Sequence, residues 1–176
     1  MEVLFFAALM AYFFAVILQI VGVAIRRPKL TRVARCVFAA ALILHTAFTV
    51  WRGIAAARIP LANQFEFASG FAWAAAILGF VFFRKLKQEW LMTASMPVAF
   101  LVLSYAAFQP MEIKELMPAL RSTWFALHIG AATFSYASFA IAGGLGIYYL
   151  VMLRKGHGED DTRMRQTDYM TYRLIW

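Results

Sequence analysis

The sequence predicts an all-α, polytopic transmembrane helix bundle of about five spans, and three observations carry that expectation. Hydrophobic residues make up 63% of the 176 residues and mean hydropathy is +0.69, more apolar surface than a soluble domain of this length can hide. The apolar residues fall in five stretches, 3–25, 33–51, 65–83, 91–108 and 123–153, each near or above the roughly 20 residues that cross a hydrocarbon core. Thirteen of the 17 Lys and Arg lie in alternate connections or near the chain's end, leaving only Arg52, Arg58, Lys114 and Arg121 on the other side. By the positive-inside rule the N-terminus is outside and the C-terminus cytoplasmic.

The first stretch opens with Glu2 instead of a basic region, is too long for a signal-peptide core and lacks a small-residue cleavage site before Arg26. It reads as a retained helix. The second carries Cys36 near its basic end and His45 within it. Cys36 is the lone cysteine, cannot form an internal disulfide and is expected to pack against a neighbour.

The connection into the third span contains Arg58, Pro60, Asn63 and Glu66. Pro60 stops regular structure, Asn63 suits a helix N-cap, and Glu66 falls in the first turn, where the helix dipole favours a carboxylate. Capping accounts for Asn63 and Glu66, and a binding role stands beside it. After the fourth span, residues 109–122 mix Pro110, Glu112, Lys114, Glu115 and Pro118, a composition suited to an interfacial segment or surface helix.

The fifth span is long enough to tilt or to project beyond the bilayer. Trp124 marks its headgroup-level entrance and His128 follows on the same helix face one turn deeper. Ala131, Ala132 and Ser135 continue that face with small side chains, leaving room for a flat ligand or a close neighbour. Ser138, Ala142 and Gly146 form a small-xxx-small series expected to pack against another helix. Residues 1–153 therefore form a five-span domain. Residues 154–176 read as a cytoplasmic loop and the opening turns of a sixth span, so that the chain is expected to be incomplete.

The basic flanks anchor topology and meet anionic lipid headgroups, which excludes nucleic acid as the partner. No cysteine pair with metal spacing, glycine-rich phosphate loop or serine-histidine-acid pattern is present in the sequence. Any chemistry must come from a bound group. An ionisable side chain within a membrane helix is a functional-site hypothesis by default, and neutral imidazole is a good iron ligand. For His128 two readings stand, an iron ligand or a histidine hydrogen-bonded to a neighbouring helix, and His45 poses the same question. Both sit roughly 7 to 9 Å inside the same boundary at the helical rise per residue. A shared site is permitted, though the helix rotations are not fixed by sequence. His157 falls in a solvated loop and needs no special role.

Two motifs carry a resemblance. Arg58-x-Pro60-Leu61-x-Asn63-x-Phe65-Glu66-Phe67 and Pro118-Ala119-Leu120-x-Ser122-x-Trp124-x-x-x-His128, followed by Ser135-Tyr136-Ala137 and Tyr148-Tyr149-Leu150, resemble the N-terminal half of the CcsA/ResC family of system II cytochrome c biogenesis. The resemblance implies a haem-handling protein of the plasma membrane that holds b-type haem as cargo at the outer face. It implies a CcsB/ResB-type partner and delivery of haem to the Cys-x-x-Cys-His motif of apocytochrome c. In the family, external histidines on either side of a tryptophan-rich segment ligate the iron, and His128 matches the first. The tryptophan-rich segment and the second histidine are not in this sequence, so the chain alone is expected not to complete haem attachment.

Within that reading Trp124 and His45 are further candidates for the haem site, and Arg58 or Arg121 would hold a haem propionate. The alternative for both cations is snorkelling to headgroups. Two other functions use the same residues differently. A membrane electron-transfer protein would ligate b-type haem with His45 and His128, and a transporter or scaffold subunit would use neither.

Overall fold

The structure is a computed structural model that describes residues 2–86, 89–115, 121–156 and 161–175. Pro118, Ala119 and Leu120 of the second motif, His157 and Trp176 lie outside the described residues. The described residues form six helices and no strand: α1 (Glu2–Ala24), α2 (Pro28–Ala56), α3 (Gln64–Leu86), α4 (Glu89–Ala107), α5 (Thr123–Arg154) and α6 (Thr162–Ile175). The first five are long and apolar enough to cross a membrane. The chain is a multi-pass membrane protein.

Sequential helices pair as hairpins, α1 with α2, α3 with α4 and α5 with α6, and α4 touches α1, α3 and α5. The hairpin between α1 and α2 closes through Arg26 in the left-handed region (φ 53°), with Arg27 N donating to Gly22 O at 2.8 Å. Helix α2 is longer at both ends than the apolar stretch 33–51. Pro28 sits in its first turn, where a missing N–H costs nothing, and the helix-favouring run Ile54, Ala55 and Ala56 carries it on to a left-handed cap at Ala57.

Two apolar clusters hold the bundle. One joins α1 to α4 around Phe5, Tyr12, Phe38, Phe48, Phe65 and Met96. The other joins α3 to α6 around Trp90, Leu91, Ile141, Leu145, Met170 and Leu174. Where lipid is as apolar as leucine, helix contact depends on close approach and interhelical hydrogen bonds. Accordingly, a Cβ added at Gly79 would lie 2.2 Å from Ser95 Oγ, and Trp73 Nε1 donates to Thr46 Oγ1 at 2.9 Å.

Helix α6 buries Met164, Thr167, Met170 and Leu174 on one stripe. Its Leu174 shares a cluster with Ile141 and Leu145, so α6 folds back along α5.

Two sequence expectations are corrected and a third is narrowed. Cys36 is exposed, because the buried stripe of α2 runs through Ala34, Phe38, Ala41 and His45 and Cys36 lies on the opposite side. The packing face of α5 is Thr133, Ala137, Ile141 and Leu145, with Ala142 beside it. Gly146 faces open space, and the glycine in close contact is Gly144, whose added Cβ would lie 3.3 Å from Ala94 Cβ. Finally, of the two alternatives for the α4–α5 connection, a surface helix is not formed over residues 110–115, which leaves the interfacial segment there. Side chains from α2 and the α2–α3 connection donate hydrogen bonds to the backbone carbonyls of that segment.

Candidate functional site

The connections α2–α3 and α4–α5 meet at one end of the bundle, around a buried carboxylate. Asn63 Oδ1 accepts from Glu66 N at 2.8 Å and Phe67 N donates to Asn63 O at 2.9 Å, which makes Asn63 the N-cap of α3. The cap places Glu66 in the first turn with its side chain turned inward, 0% exposed. Arg52 Nε donates to Glu66 Oε1 at 3.1 Å, Arg58 Nη1 to Oε2 at 2.6 Å and Arg58 Nη2 to Oε1 at 3.2 Å. Ala62 N adds a fourth donor to Oε2 at 2.9 Å. Such a satisfied geometry is what a charge removed from water requires. Glu66 is thus more than a dipole partner: one carboxylate ties together Arg52 of α2 and Arg58 of the α2–α3 connection.

The same two arginines fasten the second connection. Arg52 Nη1 donates to Met111 O at 2.8 Å, Arg52 Nη2 to Glu112 O at 3.3 Å and Arg58 Nη2 to Lys114 O at 3.2 Å. Asn63 Nδ2 reaches Glu112 O at 3.4 Å. Arg52 also lies over the Phe65 ring, 4.6 Å from its centroid.

Beside this cluster opens a cavity of about 690 Å³, roofed by the two connections and floored by the start of α5. Its charged wall is Arg58, Lys114, Glu115 and Arg121. Its apolar wall includes Ile59, Phe125 and Ile129. Arg121 lies 3.9 Å from Glu115, and Ser122 caps α5 by accepting from Phe125 N at 3.1 Å. The volume lies within the range of small-molecule and cofactor sites.

Of the five residues singled out from sequence, the structure brings Arg58 and Arg121 together on this wall. Trp124 and His128 are not in the lining: they stand on the adjoining face of α5, where Trp124 is 81% exposed and His128, Ala131 and Ser135 are exposed in line with it. Among the described residues, His128 has no hydrogen-bond or ion-pair partner. His45 lies elsewhere, wholly buried. Its Nδ1 is 3.4 Å from Tyr12 Oη and its Nε2 is 3.0 Å from Ser69 Oγ. Among the described residues no hydrogen bond links His45 to His128, and one is buried while the other is exposed.

Sequence reasoning counted Arg52 only as a topological charge. A signal for its role is present nonetheless. A cation at the end of an apolar helix, with a carboxylate early in the next and a second arginine between them, has the makings of a buried cluster once the connection folds back.

Comparison with known proteins bears on this geometry. The family described as cytochrome C assembly protein matches residues 61–176, which takes in Glu66, the second connection and α5. The cytochrome c biogenesis protein CcsA of Synechococcus sp. (strain RCC307) is 27% identical over 119 residues, 65% of this chain and 38% of that protein. The CcsA protein of Chlamydomonas reinhardtii is 29% identical over 126 residues, 66% of this chain and 36% of its own. That of Prochlorococcus marinus (strain MIT 9303) is 30% identical over 116 residues, 64% and 36% respectively. This chain thus spans well under half the length of these curated relatives. With the family match extending over most of the chain, from the end of the α2–α3 connection through α5, the chain belongs to the cytochrome C assembly protein family.

Proposed function

We propose that this chain is a haem-handling component of cytochrome c biogenesis that holds haem at the outer face of the plasma membrane, with His128 as an axial ligand of the iron. The observation that carries the reading is the exposed imidazole of His128, without a hydrogen-bond or ion-pair partner among the described residues, one turn below Trp124, within the family-matched residues and next to a cation-lined cavity. A ring nitrogen free of competing partners is available to iron. Trp124 provides an aromatic surface, and the small residues Ala131 and Ser135 below His128 leave space for a flat macrocycle. Arg121 and Arg58 are placed on the neighbouring wall, where guanidinium groups suit propionate carboxylates.

The basic connections put this end of the bundle outside and the α1–α2, α3–α4 and α5–α6 connections in the cytoplasm. The haem is cargo, passed with a CcsB/ResB-type partner to apocytochrome c, whose thiols add to its vinyl groups. His45 is assigned to the bundle interior. Both of its ring nitrogens are engaged by hydroxyls, so the electron-transfer reading, which needs it on the iron, has less support. The test is the haem absorbance of the purified chain and its His128→Ala variant at equal amounts of folded protein. Unchanged occupancy in the variant would remove His128 from the site.

A further inference from the structure

Ser69 differs from the other helical hydroxyls that line the interior. Ser95, Ser104 and Thr133 each donate to the carbonyl four residues earlier, at 2.8, 2.8 and 2.7 Å. Ser69, 4% exposed, makes no such bond among the described residues, where its only partner is His45 Nε2. Its proton can be placed by accounting from the far end of the chain of contacts. Tyr12 is fully buried, and among the described residues its Oη has only His45 Nδ1 as a partner. A buried phenol with one acceptor donates to it. Nδ1 then accepts, a neutral imidazole carries its proton on Nε2, and Ser69 Oγ accepts that proton's hydrogen bond. The proton of Ser69 itself needs an acceptor elsewhere.

A small cavity lies where that acceptor is needed. Its volume is about 10 Å³ and its polar lining is Thr49, Arg52, Glu66 and Ser69. Thr49 Oγ1 already donates to His45 O at 2.9 Å, which leaves its oxygen able to accept. The space matches roughly one water, and a buried water wants two to four polar partners.

We infer that this cavity holds a single structural water that accepts from Ser69 and donates one proton to the Glu66 carboxylate and the other to Thr49 Oγ1. The water joins Tyr12, His45 and Ser69 to the Arg52–Glu66–Arg58 cluster in one hydrogen-bonded chain, which runs from the middle of α1 to the wall of the larger cavity. Every proton in the chain then has an acceptor. His45 becomes a positioning residue: through Ser69 and the water it orients Glu66, and through Glu66 it orients Arg58. This holds whatever the larger cavity binds.

Nuclear magnetic resonance in bilayers tests the inference on the full chain with His128→Gln and His157→Gln, which leaves His45 as its only histidine, labelled with ¹⁵N. The expected result is a neutral ring protonated at Nε2, with magnetisation reaching it from water protons sooner than from lipid acyl protons. Replacing Ser69 by Ala should abolish the early water transfer, and Glu66→Gln should move the Nε2 resonance. A ring protonated at Nδ1, or acyl transfer arriving first, overturns the inference. Those two readouts need no substitution at the cavity, so they decide the matter even where Glu66→Gln fails to insert.

Discussion

Arg52 and Glu66 form an ion pair with almost no access to solvent, the guanidinium 2% and the carboxylate 0% exposed and Nη2 3.1 Å from Oε1. The pair bridges α2 and α3, and Arg52 Nη1 and Nη2 also donate to the backbone carbonyls of Met111 and Glu112. One buried contact therefore shapes both connections of the candidate site.

A paired buried charge contributes less than its Coulomb attraction suggests, but an unpaired one is costly. Glu66→Ala leaves two arginines facing a vacated site and should destabilise the bundle by about 3–5 kcal/mol. Thermal unfolding in detergent, followed by loss of the monodisperse species, would register this as a large fall in midpoint. Replacing Arg52 by Met and Glu66 by Leu together should cost less than either single change. A double variant at least as unstable as the sum of the singles would contradict the account of this pair.

The topology rests on the basic connections and is checked by labelling. In a Cys36→Ser background, cysteine at Glu115, whose side chain is 97% exposed, should react with an impermeant thiol reagent added to intact cells. Cysteine at Lys155 should react only after the membrane is opened. Labelling of the Lys155 position in intact cells would invert the proposed orientation.

How much of this was legible in the sequence follows from what kind of force set each feature. The five spans were readable because hydrocarbon thickness imposes length and apolarity on each one separately, and the Asn63 cap was readable because capping is local. Helix rotation is not local. The true packing face of α5 lies one residue away from the small-xxx-small series, since Ile141 and Leu145 fill the space against α4 and α6 while Gly146 stays open. The same limit hid the separation of His45 from His128, because similar depth does not make two helices face each other. Arg52 was missed for a related reason: its partner lies 14 residues on, across an irregular connection.

Arg121 and Arg58 differ in what else they do, which separates a ligand role from a structural one. Arg121→Gln should lower haem occupancy with little effect on thermal stability, because the Arg121 side chain is 60% exposed and its ion pair with Glu115 lies at the surface. Arg58→Gln should lower both, since two of its hydrogen bonds end on buried Glu66. Absorbance at matched folded protein and thermal midpoint, measured on both variants, make the comparison. Parental haem occupancy in Arg121→Gln would withdraw it from the propionate role.

The most direct test of the central claim is the haem spectrum of the purified chain, set beside those of His128→Ala and His45→Ala at equal amounts of folded protein. The account predicts loss of most of the haem from His128→Ala, with part restored by added imidazole occupying the vacated axial position. It predicts that His45→Ala keeps most of its haem per folded molecule while losing stability, because two buried hydroxyls lose their partner at about 1–3 kcal/mol each. Equal loss from both substitutions, together with a low-spin bis-histidine spectrum in the parent, would contradict the account and place the iron between the two histidines.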